Sequence, residues 1–93
     1  MTPEGKVQAD IIKYAQSQGF LTLRFEVMAQ SGYPDLMFIG HGTVGFMEVK
    51  KAGKSAESLQ AYRLMKIRGH GVMATWCDNL EDAEDFIDVL KSG

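Results

Sequence analysis

The sequence predicts an α/β fold in which helices flank a mixed central β-sheet, with the element order αβββαβα. Apolar residues recur at helical spacing in three segments, and four shorter segments are alternating or uniformly apolar. Gly, Pro, Ser and Asn cluster where these patterns break. Helices are predicted over residues 3–18, 56–68 and 80–91, and strands over residues 20–28, 35–39, 44–50 and 71–77. Alternating helical and strand patterns are typical of a sheet that is covered by helices.

The first predicted helix has signals at both ends. Thr2 can cap it, Pro3 suits its first turn and Gly19 suits its end. Its buried stripe is predicted to contain Val7, Ile11, Tyr14, Ala15 and Gln18. Glu4 lies one turn before Val7 on the same stripe. We therefore expect Glu4 to face the rest of the fold, beyond complementing the helix dipole.

The second predicted helix, capped by Ser55 or a neighbour, places a polar side chain on its buried face. Gln60, Leu64 and Ile67 share this face, and Ala61 and Met65 are expected beside them. The last helix is expected to begin after Asp78 or Asn79. Its predicted buried side chains are Leu80, Ala83, Phe86, Ile87 and Leu90.

The first predicted strand alternates between two faces. Leu21, Leu23, Phe25 and Val27 are predicted on the buried face, and Thr22, Arg24 and Glu26 on the other. The next two strands form a predicted hairpin. If His41-Gly42 is a two-residue turn, the opposed residues are Ile39 and Val44, Met37 and Phe46, and Asp35 and Glu48. A bulge near Pro34 would shift this register by one residue.

Length and composition are those of one globular domain over residues 1–93. Hydrophobic residues make up 45% and charged residues 24%, so a disordered chain is excluded. No apolar run is long enough to span a membrane, and the N-terminal residues lack the apolar centre of a signal peptide. The single cysteine, Cys77, fits a reducing compartment. We therefore expect a cytoplasmic protein.

Charge is segregated along the chain although the net charge is only −2. Residues 48–70 contain six basic and two acidic residues, whereas residues 71–93 contain six acidic residues and one basic residue. One surface could therefore be positive and bind a polyanion. The alternative is that both segments form solvated helix faces.

The predicted hairpin gathers a candidate catalytic site. Asp35 and Glu48 oppose each other, and Lys50 lies on the same face one pleat along. Two such carboxylates repel unless a divalent cation or a proton lies between them, and hard oxygen ligands favour Mg²⁺ or Mn²⁺. A lysine beside the metal suits phosphodiester hydrolysis. Acyl transfer fits less well, because no Ser or Cys has a recognisable histidine partner.

The motifs around this site resemble those of a known nuclease family. Pro34-Asp35 followed by Glu48-Val49-Lys50 resembles the motif of the PD-(D/E)XK nuclease superfamily. The fuller pattern runs from Gly32 to Leu36, from Phe46 to Lys50, and on to Gln60, with Glu4 on the first helix. This pattern is similar to that of the VRR-NUC (virus-type replication-repair nuclease) family and covers nearly the whole chain.

The resemblance implies a small restriction-endonuclease-like fold and a role for each site residue. Asp35 and Glu48 would bind the metal together with the Val49 carbonyl, and Lys50 would position the attacking water. Glu4 would ligate a metal through water or at a second site. Gln60 would support the site from its helix. Alternatively, Gln60 is an amide whose hydrogen bonds are satisfied within the core and which has no role in the site.

The expected partner is DNA. Lys51 and Lys54 are the first candidates for phosphate contacts, with Arg63 and Lys66 next, although all four could be solvated charges. The resemblance to stand-alone phage members implies a homodimer that resolves four-way (Holliday) junctions in DNA repair. The competing interpretations are a flap, nicking or less selective nuclease, a non-catalytic nucleic-acid-binding module, and a small structural or partner-binding phage protein. Tyr62 and the strand around Trp76 are candidate dimer surfaces or core.

Overall fold

The computed structural model describes residues 1–26 and 30–93 and has the predicted element order. The helices are α1 (Pro3–Ser17), α2 (Ser58–Gly69) and α3 (Leu80–Ser92), and the strands are β1 (Leu21–Arg24), β2 (Leu36–Gly40), β3 (Thr43–Val49) and β4 (Met73–Cys77). The strands form one sheet in the order β1-β2-β3-β4. The first three are antiparallel, and β4 runs parallel to β3. The predicted mixed α/β fold is therefore confirmed. In the described ranges, every helix is too short or too polar to cross a membrane.

The β2–β3 turn sets the register of the hairpin. His41 and Gly42 both have positive φ, 54° and 77°, which is the backbone of a type I′ two-residue turn. Ile39 consequently pairs with Val44, and the register continues without a bulge to Leu36 and Met47. The predicted register is thus confirmed over the length of β2.

Parallel pairing with β4 holds the end of β3 and the residue that follows it. Glu48 lies beside Trp76 and Val49 beside Cys77. One residue further along, the Lys50 N–H donates to the Cys77 carbonyl at 2.8 Å. The backbone of Lys50 is therefore still held by the sheet although β3 has ended.

The main core lies between one face of the sheet and the helices α1 and α3. Its fully buried side chains include Ile11, Ala15, Leu36, Phe38, Met47, Ala83 and Ile87. The Tyr14 hydroxyl also donates to Asp88 at 2.5 Å and links α1 to α3. This hydrogen bond raises the pKa of Tyr14 to about 12.

The prediction of a strand over residues 20–28 is wrong in two respects: the strand is shorter, and its buried face differs from the predicted one. β1 ends at Arg24, and Leu21 is 59% exposed although it was predicted to be buried. Thr22, predicted on the outer face, is half-buried. The physical reason is the register of β1: Thr22 pairs with Phe38, which is buried in the main core, whereas Leu21 pairs with Ile39 on the opposite face of the sheet. The predictions for Val27 and Met28 fall outside the described residues.

The buried face of α2 is narrower than predicted. Leu64 is 1% exposed and Gln60 and Ile67 are half-buried, but Ala61 is exposed and Met65 is 53% exposed. α2 packs against β4, the edge strand, so only a narrow stripe of the helix is covered. Its N-cap is Glu57, whereas Ser55 lies upstream of the cap. The caps of the other helices, Thr2 and Asn79, agree with the sequence analysis.

We expect Gly45→Ala to destabilise the fold. Gly45 is buried in β3, and a Cβ there would lie 2.7 Å from Leu90 Cδ2 and 3.3 Å from Phe86 Cε2. Leu90 is itself 1% exposed and cannot swing into solvent. Overpacking should lower the free energy of unfolding by about 1–3 kcal/mol, measured by urea denaturation. The matched control is Gly69→Ala, where a Cβ meets nothing within 4 Å. Equal stability of the two variants would contradict the packing described for β3 and α3.

Candidate functional site

Asp35 lies immediately before β2, where two elements hold its carboxylate. Its backbone carbonyl accepts a hydrogen bond from the Phe25 N–H at 2.8 Å. Its Oδ1 accepts from the Val49 N–H at 3.2 Å, and its Oδ2 accepts from Gln8 Nε2 at 2.8 Å. The side chain therefore points across to the end of β3, beside Glu48, as the hairpin register predicts.

Glu48 is buried and is satisfied at only one of its two oxygens. It lies in β3 with 5% of its surface exposed. Its Oε2 accepts from Gln60 Nε2 at 2.9 Å. Its Oε1 is buried and has no hydrogen-bond partner among the residues that the structure describes. An unsatisfied buried carboxylate oxygen is costly, so this atom is a natural place for a proton or a cation.

Gln60 connects Glu48 to Lys50. Gln60 Oε1 accepts from the Glu57 N–H at 2.9 Å and from Lys50 Nζ at 3.3 Å. Because two donors meet Oε1, the Nε2 amino group must face Glu48. The structure thus places Gln60 between the two charged side chains, on the buried stripe of α2 that the sequence predicts.

Glu4 extends the site from the first turn of α1. It is exposed, and its charge raises the pKa values of both Asp35 and Glu48. It lies between two surface cavities. One, of about 420 Å³, is shared with Lys50 and the loop after it, and the other, of about 260 Å³, is shared with Gln8, Arg24 and Asp35. Ligation of a metal by Glu4 through water remains a prediction.

The electrostatics of the site favour a bound positive charge. Burial raises the pKa of Asp35 to about 6, against the hydrogen bond from Val49. Burial, and then the charge of Asp35, raises the pKa of Glu48 to about 7, while Lys50 acts in the opposite direction. Raised carboxylate pKa values mean that the negative charges are incompletely compensated by the protein. A cation between Asp35 and Glu48 would supply that compensation.

The available donors fit a hard divalent cation. Two carboxylates, one with an unpartnered oxygen, provide the oxygen ligands that Mg²⁺ and Mn²⁺ prefer, and the Val49 carbonyl is the third predicted ligand. Within residues 1–26 and 30–93, no group of three or more His, Cys, Asp or Glu side chains could hold a metal ion. Two carboxylates and one carbonyl would leave coordination positions for water, which Mg²⁺ commonly retains.

The four predicted DNA-binding residues differ in their placement. Lys51 and Lys54 are exposed and line the cavity next to Lys50. Arg63 lies over the Tyr33 ring at 4.6 Å, and its Nε donates to the Ser31 carbonyl at 3.4 Å. Arg63 thus braces the loop that leads to Asp35. Lys66 is exposed on α2 and, like Arg63, does not line that cavity.

Two residues of the site were missed by the sequence analysis. Gln8 donates to Asp35 Oδ2 at 2.8 Å, and Arg24 NH1 donates to Gln8 Oε1 at 3.2 Å. The available signal for Gln8 was its position one turn after Glu4 on the same helix face. Arg24 carried no such signal, because it was assigned to the outer face of a longer strand.

The raised pKa values predict how stability depends on pH in the metal-free protein. The folded protein keeps protons on Asp35 and Glu48 that the unfolded chain releases near pH 4. Their stabilisation is complete below the unfolded pKa values, and it is lost as the pH rises through about 6 to 7. We expect Glu48→Gln to show a shallower loss of unfolding free energy between pH 4.5 and 7.5, measured by urea denaturation in EDTA.

Glu81→Gln, which changes an exposed carboxylate in α3, is the matched control and should follow the wild type. Identical slopes for Glu48→Gln and the wild type would show that Glu48 does not titrate in this window.

Comparison with known proteins identifies the fold. No protein-family model matches the chain, and no curated protein sequence matches it. Among solved structures, one described as a "VRR_NUC domain" superimposes with a TM-score of 0.82 at 23% identity, covering 95% of this chain and 97% of its own. Another, a "VRR_NUC domain protein", gives a TM-score of 0.78 at 19% identity and covers 99% and 90%. The chain therefore has the fold of the VRR_NUC domains, as its motifs predicted.

Proposed function

We propose that this protein is a VRR-NUC nuclease, a Mg²⁺- or Mn²⁺-dependent DNA endonuclease that hydrolyses phosphodiester bonds. One observation carries the proposal. Asp35, Glu48, Lys50 and Gln60, which lie on three different segments, meet in a single site at the end of β3. On a VRR_NUC fold, this is the arrangement that the motif of the family requires.

The metal would be held by Asp35 and Glu48, with the Val49 carbonyl as a third ligand and Glu4 contributing through water. When bound, the metal would polarise a phosphoryl oxygen and lower the pKa of a water molecule. Glu48 suits this role because its Oε1 has no hydrogen-bond donor to displace among the residues that the structure describes. The hydrogen bonds on its Oε2 and on both oxygens of Asp35 would fix the directions of the remaining lone pairs.

Lys50 is the residue that would act on the attacking water. Its backbone is held by the Cys77 carbonyl, and its Nζ is 3.3 Å from Gln60 Oε1. An ammonium group has three donors, so two remain for a water and for a phosphoryl oxygen. As an ammonium group, Lys50 would orient the water and stabilise the developing negative charge on phosphorus. Gln60 would keep the ammonium group beside the carboxylates.

DNA would approach along the lysines after the site. Lys51 and Lys54 line the same 420 Å³ cavity as Lys50, so they can contact phosphates next to the scissile one. The acidic residues of α3 would repel DNA from that helix. Such contacts carry no sequence information, which favours recognition of DNA shape.

We further propose that the substrate is branched DNA, and that a homodimer resolves four-way junctions. A two-fold dimer would match a two-fold substrate and permit paired cuts. The outer face of α2 supplies apolar surface for a dimer, since Leu59, Tyr62 and Met65 are 50%, 47% and 53% exposed. Trp76 on the edge strand β4 is 37% exposed. Flap, nicking or unselective cleavage, and binding without cleavage, are the alternatives that the substrate panel below distinguishes.

We expect Lys50→Ala to reduce cleavage by about 10²–10⁴-fold, because a positioned acid–base group contributes an acceleration of that size. Asp35→Asn should lose both cleavage and metal binding. The measurement is the initial rate on labelled four-way junction, flap, splayed, nicked and linear DNAs with Mg²⁺, with Mn²⁺ and with EDTA. The junction should be cut fastest.

The matched control is Lys13→Ala, which removes an exposed lysine from a cavity between α1 and α3 and should cut like the wild type. Circular dichroism and thermal melts establish that each variant is folded. Cleavage by Asp35→Asn at the wild-type rate would refute the site, and DNA binding without cleavage by the wild type would favour the binding module.

Lys51→Gln with Lys54→Gln should weaken DNA binding similarly on every DNA shape. Each lost phosphate contact should reduce the slope of log K against log salt by about one, so the double variant should lose about two. Fluorescence anisotropy in Ca²⁺ over a range of salt concentrations measures this slope. Lys66→Gln is the comparison, since Lys66 lies outside the cavity, and it should change the slope less. If the slope of log K against log salt is the same for the wild type and the double variant, the loop that contains Lys51 and Lys54 does not contact DNA phosphates.

A further inference from the structure

We propose that Gln8 is a positioning residue that fixes the carboxylate of Asp35 for metal binding, and that Arg24 fixes Gln8 in turn. This inference rests on the proposed metal-dependent function and adds two residues to it. Neither belongs to the PD-(D/E)XK motif in this sequence. Gln8 lies on α1 and Arg24 at the end of β1, so two further elements would contribute to the site.

The carboxylate of Asp35 is held on both sides. The Val49 N–H donates to Oδ1 at 3.2 Å and Gln8 Nε2 donates to Oδ2 at 2.8 Å. With the Val49 donor alone, only Oδ1 would be held, and the carboxylate of Asp35 could still rotate about its Cβ–Cγ bond. With both donors in place, the plane of the carboxylate is fixed, and each oxygen keeps a lone pair for a ligand. Residues that orient ligating carboxylates in this way tune metal affinity.

Arg24 determines which end of the Gln8 amide faces Asp35. Arg24 NH1 donates to Gln8 Oε1 at 3.2 Å, so Nε2 is the end left for the carboxylate. The reverse orientation would place two acceptors, Oε1 and Oδ2, against each other and two donors together. Arg24 therefore acts on Asp35 through Gln8, whose amide is hydrogen-bonded to both residues.

The contacts of Arg24 favour a role in orienting the amide over a role in an ion pair. It lines the 260 Å³ cavity with Glu4, Glu26 and Asp35. Yet Lys6–Asp10 is the one ion pair within 4.0 Å in the described part of the chain. Arg24 thus bonds to a neutral amide although carboxylates line the same cavity. An arginine held by an amide that in turn holds a metal-site carboxylate is the arrangement expected of an orienting pair.

The test is a double-mutant cycle on Mn²⁺ affinity, measured by isothermal titration calorimetry without DNA. Gln8→Met keeps the length of the side chain and removes its hydrogen bonds. It should weaken Mn²⁺ binding by about 10–100-fold, the loss typical for an outer residue that orients a ligand. Arg24→Met should weaken binding by a smaller factor. The double variant should match Gln8→Met alone, because Arg24 has no effect on Asp35 once the amide is gone.

Gln16→Met, the same substitution at an exposed position of α1, is the control and should bind like the wild type. Wild-type affinity in Gln8→Met, or losses in the single variants that add in the double variant, would overturn the positioning role and leave the nuclease proposal intact. Failure of the wild type to bind Mn²⁺ would overturn both. If Gln8→Met does not fold, the exposed Arg24→Met decides the question alone, and unchanged affinity in it contradicts the role.

Discussion

The buried carboxylate of Glu48 is the constraint on which the rest of the structure depends. A strand in the middle of a small sheet would ordinarily carry an apolar side chain at this position, because a buried charge costs several kcal/mol unless it is compensated. Here one oxygen is bonded to Gln60 and the other is unpartnered among the described residues. The protein therefore keeps a polar group at a cost to stability, which is common where function requires it.

The surrounding elements bring the other residues of the site to this carboxylate. The two-residue turn at His41-Gly42 sets the register that places Asp35 beside it. Parallel pairing with β4 holds the backbone of Lys50 just past the end of the strand. The narrow buried stripe of α2 contributes Gln60, and the first two turns of α1 contribute Glu4 and Gln8. Five separate segments thus converge on one site of a 93-residue chain.

Sequence predicted most of this site because its information is local. A two-residue turn determines strand register, and helical phase placed Gln60 on the half-buried stripe of α2. The same reasoning placed Glu4 on an inward stripe of α1, whereas Glu4 is exposed. What failed depends on neighbours that a sequence does not show. Leu21 is exposed because the register of β1 places it on the sheet face opposite the main core, and Met65 is exposed because α2 packs mainly against the edge strand β4. Gln8 and Arg24 meet across α1 and β1, and no spacing rule predicts such a contact.

The most direct test of the central claim is the position of Mn²⁺ in crystals of the protein, located by anomalous diffraction. The claim is that Asp35 and Glu48 form one metal site that the unpartnered Oε1 of Glu48 completes. It predicts a single strong anomalous peak within about 2.5 Å of a carboxylate oxygen of each residue. The peak should disappear in Asp35→Asn. A peak held by other residues, or a fully occupied Mn²⁺ that does not touch Glu48, would contradict the claim.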